Sequence, residues 1–142
     1  MVYIYGTAGN DSLSGTVQGD RIYGGDGDDY IVDLITGRDR IWGDAGNDTI
    51  GSGIDADDIF GGSGNDVIYG GGGGDGGGDV IYADDGNDLV YGDYLTSTRT
   101  NGVVAYGGTG DDTITVPLKG FGIGWPSERG TMLLMAVRME MF

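Results

Sequence analysis

The 142-residue chain contains no cysteine and no histidine. Without cysteine there is no disulfide, no thiolate nucleophile and no iron–sulfur ligation. Without histidine there is no imidazole base and none of the common histidine-bearing zinc sites. Positive charge is scarce: seven Lys and Arg face 23 acidic residues, a formal net charge of −16. That excludes the basic footprint of a nucleic-acid binder and opposes anionic membrane surfaces. No apolar run approaches the ~18 residues of a membrane-spanning helix, and no cleavable leader pattern opens the sequence. Neither H-E-x-x-H nor G-x-S-x-G occurs, so no catalytic constellation is expected in this chain.

What fills the space is glycine, 33 residues, and aspartate, 21 once Glu128 and Glu140 are set aside. Composition breaks near Thr115. Residues 1–115 carry every aspartate against four arginines, a net −17. Residues 116–142 carry no aspartate, both prolines (Pro117, Pro126) and four of the five methionines. Two segments follow: a repetitive body, 1–115, and an atypical C-terminal tail, 116–142.

The body repeats every nine residues. Gly24-Gly25-Asp26-Gly27-Asp28-Asp29-Tyr30-Ile31-Val32 defines the unit, G-G-x-G-x-D-x-U-x with U aliphatic. Good copies stand at 6–14, 24–32, 43–51, 61–69, 83–91 and 107–115, and weaker ones at 15–23, 34–42, 52–60, 74–82 and 98–106. Low-complexity glycine sequence would not place an aliphatic residue two after an aspartate each time.

This nonapeptide resembles the RTX, or haemolysin-type, calcium-binding repeat. The resemblance covers residues 1–115. It implies an all-β fold, a right-handed parallel β-roll of about five to six coils, in which each six-residue turn binds calcium and each x-U-x forms a short strand. Glycine suits a turn with unusual backbone angles, and aspartate offers the anionic oxygen that calcium prefers. The inward residues are then Leu13, Ile22, Ile31, Ile41, Ile50, Ile59, Ile68, Ile81, Val90, Ala105 and Ile114, a core one side chain thick.

Two nonapeptides make one coil, so good turns stack on one edge and weak turns on the other. On the strong edge the sixth-position carboxylates are Asp11, Asp29, Asp48, Asp66, Asp88 and Asp112. The resemblance adds backbone carbonyls of Gly9, Gly27, Gly46, Gly64, Gly86 and Gly110. Six stacked turns make five gaps, hence about five calcium ions. The weak edge keeps Asp20, Asp39, Asp57 and Asp79 but has Val103 in the sixth place. It replaces the fourth-position glycine with Gln18, Asp55 and Asn101. Fewer and weaker ions are expected there. Extra residues (Asp33, 70–73 and 92–97) are read as insertions ahead of weak turns.

Carboxylates on adjacent rungs, ~4.8 Å apart, repel by roughly 0.9 kcal/mol per pair even in bulk water. The metal-free body is therefore expected to be disordered. An ion at ten times its dissociation constant contributes about 1.4 kcal/mol, and five would supply about 7 kcal/mol. The resemblance implies a secreted module, a fragment of a larger toxin, protease, lipase or similar exoprotein that leaves Gram-negative cells by type I secretion and folds outside.

The ninth position after each weak turn is aromatic: Tyr23, Trp42, Phe60, Tyr82 and Tyr106, with Tyr5 before them. Such a row is either a stacking ladder or a docking face for a protein or glycan, as in an adhesive stalk. Ice binding is not expected, because the third turn position reads Ala8, Asp26, Ala45, Ser63, Asp85 and Thr109 rather than a threonine row. The tail reads as a cap, a secretion-signal remnant or a frameshift product. Shifting the frame by one base turns 130–142, for permitted codons, into G-[N/D]-D-A-A-D-G-G-A-D-G-D-V, with aspartates nine apart at 132 and 141.

Overall fold

The computed structural model describes residues 1–33, 36–72, 78–92 and 103–115, and the backbone of 133–134. Everything else expected of the tail lies outside the described residues, as do 34–35, 73–77 and 93–102, which include parts of the insertions expected at 70–73 and 92–97. The strands are β1 (Tyr3–Tyr5), β2 (Ser12–Ser14), β3 (Arg21–Asp26), β4 (Tyr30–Val32), β5 (Arg40–Ala45), β6 (Thr49–Gly51), β7 (Asp58–Ser63), β8 (Val67–Tyr69), β9 (Val80–Asp85), β10 (Leu89–Tyr91), β11 (Val104–Tyr106), β12 (Thr113–Thr115) and β13 (Leu133–Leu134). Odd strands up to β11 form one sheet in the order β1-β3-β5-β7-β9-β11. The other sheet runs β13-β12-β10-β8-β6-β4-β2.

All pairings are parallel and in repeat register: Ile22 faces Ile41, which faces Ile59, then Ile81 and Ala105. On the other sheet Leu13, Ile31, Ile50, Ile68, Val90 and Ile114 align in turn. This is a parallel β-roll. Four strands exceed the expected three residues. β3, β5, β7 and β9 run six, because the first residues of each strong turn keep the ladder going, as in Gly25↔Asp44 and Asp26↔Ala45.

The expected inward residues are buried from Ile22 to Ile114; Leu13, on a terminal coil, is half-buried and packs against them. Ala83 and Val103 join this core, and neither was expected there. Because one aliphatic side chain per strand fills the interior, each matters. Ile50→Ala should cost about 2–5 kcal/mol, the usual range for such a truncation. Denaturant unfolding in saturating calcium would measure it, and a loss under 1 kcal/mol, about the net worth of one hydrogen bond, would show that the turns alone hold the roll.

On the outer face of the first sheet Tyr5, Tyr23, Trp42, Phe60, Tyr82 and Tyr106 stack face to face. Their centroids lie 4.5–5.4 Å apart and their planes within 8° of parallel. The ring faces are used on one another.

Candidate metal centre

Each strong-edge carboxylate after Asp11 is held by its neighbour. The amide of Asp11 donates to Asp29 Oδ1 at 2.8 Å, and the same bond repeats from Asp29 to Asp48, Asp48 to Asp66, Asp66 to Asp88 and Asp88 to Asp112, at 2.8–3.0 Å. One oxygen of each aspartate is thereby committed. The other is not: Oδ2 of Asp29, Asp48, Asp66 and Asp88 is buried and accepts no hydrogen bond. Buried carboxylate oxygens in that state are costly unless a proton or a cation joins them.

The space they face is shaped by the first residue of each turn. A methyl group built on Gly61 would stand 2.5 Å from both Asp66 Oδ2 and the Ala83 carbonyl oxygen of the next coil. Calcium–oxygen bonds are about 2.3–2.6 Å. A point at bonding distance from two oxygens is therefore open because residue 61 has no Cβ. Methyl groups on Gly24 and Gly43 would collide with Asp29 Oδ2 and Asp48 Oδ2 in the same way, and with the next coil's first-position carbonyl. Sequence reasoning did not name these carbonyls. The fourth-position carbonyls of Gly27, Gly46, Gly64 and Gly86 stand where a Cβ on the next fourth-position glycine would be, so no side chain fits there. Gly46 there adopts φ +139°, which favours glycine.

Burial first, then neighbouring aspartates, pushes these carboxyls up. Asp48 rises to about 6, with Asp66, Asp29 and Asp28 adding to the burial and the Asp29 amide opposing it. Asp88 rises to about 7, and Asp66 is also raised, with Asp84 contributing to both.

A second ladder runs the other way. The amide of Asp28 donates to Asn10 Oδ1, Asn47 to Asp28, Asn65 to Asn47, Asn87 to Asn65 and Asp111 to Asn87, at 2.7–3.0 Å. It is built from the fifth turn position, which is Asn or Asp in every strong turn. The weak turns have Gly19, Arg38, Ala56, Gly78 and Gly102 there, and the two edges differ for that reason.

Not every cradle is alike. Asp11 Oδ2 accepts from the Thr7 amide and hydroxyl at 2.5 and 2.8 Å. Ala83 occupies the first position of the fifth strong turn, in register with Gly61 and fully buried; by the repeat, its methyl group takes the place beside Asp88 that glycine leaves open beside Asp66. Asp112 is buried in the last turn, its Oδ2 against Gly107.

The weak edge carries its own carboxylate ladder: the amides of Val2, Asp20, Asp39 and Asp57 donate to Asp20, Asp39, Asp57 and Asp79 at 2.6–2.9 Å. Asp20 Oδ2 is taken by the Thr16 amide and hydroxyl, both at 2.7 Å. Burial raises Asp20, but these bonds, the Val2 amide and the N-terminal ammonium outweigh it and hold its carboxyl low. Beside Asp57, the Ser52 hydroxyl donates to Gly70 O at 2.8 Å, so a hydroxyl bridges toward the next coil where the strong edge has an open point. Asp57 is pushed up to about 8, by burial first and then by Asp39 and Asp33, against bonds from the Asp39 amide and Ser52. Val103 is buried in the place of the missing carboxylate.

The model of the RTX calcium-binding nonapeptide repeat matches residues 4–32, 36–59, 52–75, 74–93 and 104–115. The chain belongs to that family. No curated protein matches it. As an RTX roll it is a calcium-binding module, and no described helix is long and apolar enough to cross a membrane. The residues fit the ion: Asp29, Asp48 and Asp66 with the carbonyls of Gly43, Gly61 and Ala83 would hold it, and calcium would supply the charge those oxygens lack.

Protons should substitute in part. A carboxyl whose pKa is raised in the roll stabilises the roll fully below its unfolded value, 3.8, and that contribution is lost as pH rises through the folded values, about 6 for Asp48 and about 8 for Asp57. In chelator, circular dichroism should therefore report more β-structure near pH 4 than at pH 8. A pH-independent signal would overturn this.

Proposed function

We propose that residues 1–115 form an extracellular folding module whose stability is conferred by calcium, within a protein exported by the type I route, and that 116–142 is a separate tail. The observation that carries this is the row of buried Oδ2 atoms at Asp29, Asp48 and Asp66, each flanking, with a first-position carbonyl of the next coil, one point left open by glycine. Buried anions on successive rungs oppose folding where calcium is scarce and favour it where calcium is plentiful. A chain that must stay extended during export and fold afterwards needs that dependence. The absence of cysteine means calcium, not a disulfide, is the external staple.

Strong-edge Asp11, Asp88 and Asp112 and weak-edge Asp57 and Asp79 belong to weaker or altered sites in this reading. The stalk alternative, with glycan or protein on the aromatic row, draws less support, because the ring faces a sugar would stack on are already paired.

Isothermal titration of the full metal-free chain tests the proposal. Calcium should bind with dissociation constants of about 10⁻⁴–10⁻³ M, as in extracellular modules, and magnesium should give no comparable heat. Equal responses to both ions, or none to calcium, would sink it.

A further inference from the structure

Asp33 does not stand where the repeat count puts it. It follows β4 directly, and its amide donates to Gly51 O at 2.7 Å, as Ser52 N does to Tyr69 O and Gly70 N to Tyr91 O one and two coils on. Asp33 is therefore the first residue of its turn, stacked between Gly15 and Ser52. The one extra residue of this turn comes after it, since Thr36 pairs with Ile54 again in register.

That position decides what occupies a cradle. On the strong edge a glycine leaves it open, and on the weak edge Ser52 inserts a hydroxyl. Asp33 inserts a carboxylate. Its Oδ2 reaches the point where a Gly15 side chain would be, so only glycine at 15 leaves room. Ligand oxygens of Asp20, Asp33 and Asp39 all lie within 4.8 Å of one another, and each residue is 1% exposed. Asp39 Oδ2 is buried with no hydrogen-bond partner. Asp20 already accepts from the Val2 and Thr16 amides and the Thr16 hydroxyl, so it adds charge beside the other two; ionised Asp33 and Asp39 offer each other only acceptors, and a proton or a cation must join them.

The nearby guanidiniums are engaged elsewhere. Arg38 Nε donates to Ala56 O, Arg40 pairs with Asp58, and Arg21 donates to Tyr3 Oη. They line the same small cleft as Asp20 and Asp39 without bridging the three carboxylates.

We propose that Asp20, Asp33 and Asp39 form a distinct cation site on the weak edge, with Asp33, outside the nonapeptide pattern, as the third carboxylate. Three carboxylates in one place favour a hard ion of high charge. The site takes calcium, and a trivalent lanthanide in preference. The inference rests on the chain being a calcium-binding roll.

The test compares the full chain with Asp33→Ser and Asp33→Asn, using calcium chloride and terbium chloride as probes and metal analysis after dialysis as the readout. Serine is the residue this position already carries at 52, so the turn accommodates it. Each variant should retain one ion fewer, and its tightest terbium step should weaken by about tenfold or more, as expected for removing a charged ligand. Unchanged stoichiometry and affinity in both variants would overturn the Asp33 site while leaving the calcium-binding roll intact. No calcium bound by the unmodified chain would instead overturn the roll reading. The unmodified chain gives an independent measurement: one terbium held against excess calcium supports the site, and none held overturns it.

Discussion

Chelator added to the full chain at neutral pH should abolish its β-sheet circular dichroism, and calcium, but not magnesium, should restore it. The body carries a net −17, and its core is a single file of aliphatic side chains. Asp29, Asp48, Asp66 and Asp88 sit buried on successive rungs, each with one oxygen unbonded. Three cradles are open on both the carboxylate and the glycine side: those of Asp29, Asp48 and Asp66. At ten times the dissociation constant, three ions would contribute about 4 kcal/mol, against a typical domain stability of about 5–15 kcal/mol. Losing that is enough to unfold a marginal roll. Magnesium demands near-ideal octahedral geometry at shorter distances and sheds water reluctantly, which a cradle with 2.5 Å contacts does not serve. Full β-signal in chelator would show that the isoleucine file suffices alone.

Gly61→Ala should remove one bound calcium ion, and Ala83→Gly should add one. Residue 61 is not among the positive-φ positions, so alanine suits its backbone. The expected cost comes from the methyl group, 2.5 Å from Asp66 Oδ2 and from Ala83 O. Ala83 already places such a group beside Asp88, and the roll accommodates it. At calcium ten times the dissociation constant, each exchange should shift stability by about 1.4 kcal/mol through the ion, in opposite directions. Steric strain adds to the loss in Gly61→Ala. In chelator the linkage part disappears. Ion counts by metal analysis, with denaturant midpoints at two calcium concentrations, separate the two contributions. Identical ion counts in both variants and the parent would refute the role given to the first turn position.

The repeat made most of this architecture legible. Spacing alone aligned Ile22 with Ile41 and Ile31 with Ile50, and the alternation of good and weak copies anticipated two unlike edges. Some of what it missed was in plain view. Asn10, Asp28, Asn47, Asn65, Asn87 and Asp111 share the fifth position, a sufficient signal for an amide-capping ladder, but calcium drew attention to the sixth. Asp33 was harder. Counting back from Asp39 leaves it over, whereas the stack is set by counting forward from the end of β4. Only the hydrogen bond to Gly51 decides between the two. The expected ion count assumed equal gaps, and Thr7 and Ala83 make them unequal by chemistry the consensus does not encode. In the tail, β13 pairs Leu133 with Thr113 and Leu134 with Ile114. A one-base shift would read aspartate at 132, one residue before Leu133 in the sequence. Third bases in the coding DNA incompatible with aspartate at 132, 135 and 139 would exclude that shift.

The aromatic row has an optical consequence. Trp42 lies 4.5 Å from Tyr23 and 5.4 Å from Phe60, third in a file of six rings. Excitation absorbed by any tyrosine in the file passes along it to the one indole there. Coil formation therefore quenches the emission of the tyrosines in the file and brightens or shifts that of Trp42, so the protein carries its own reporter of the moment its coils stack.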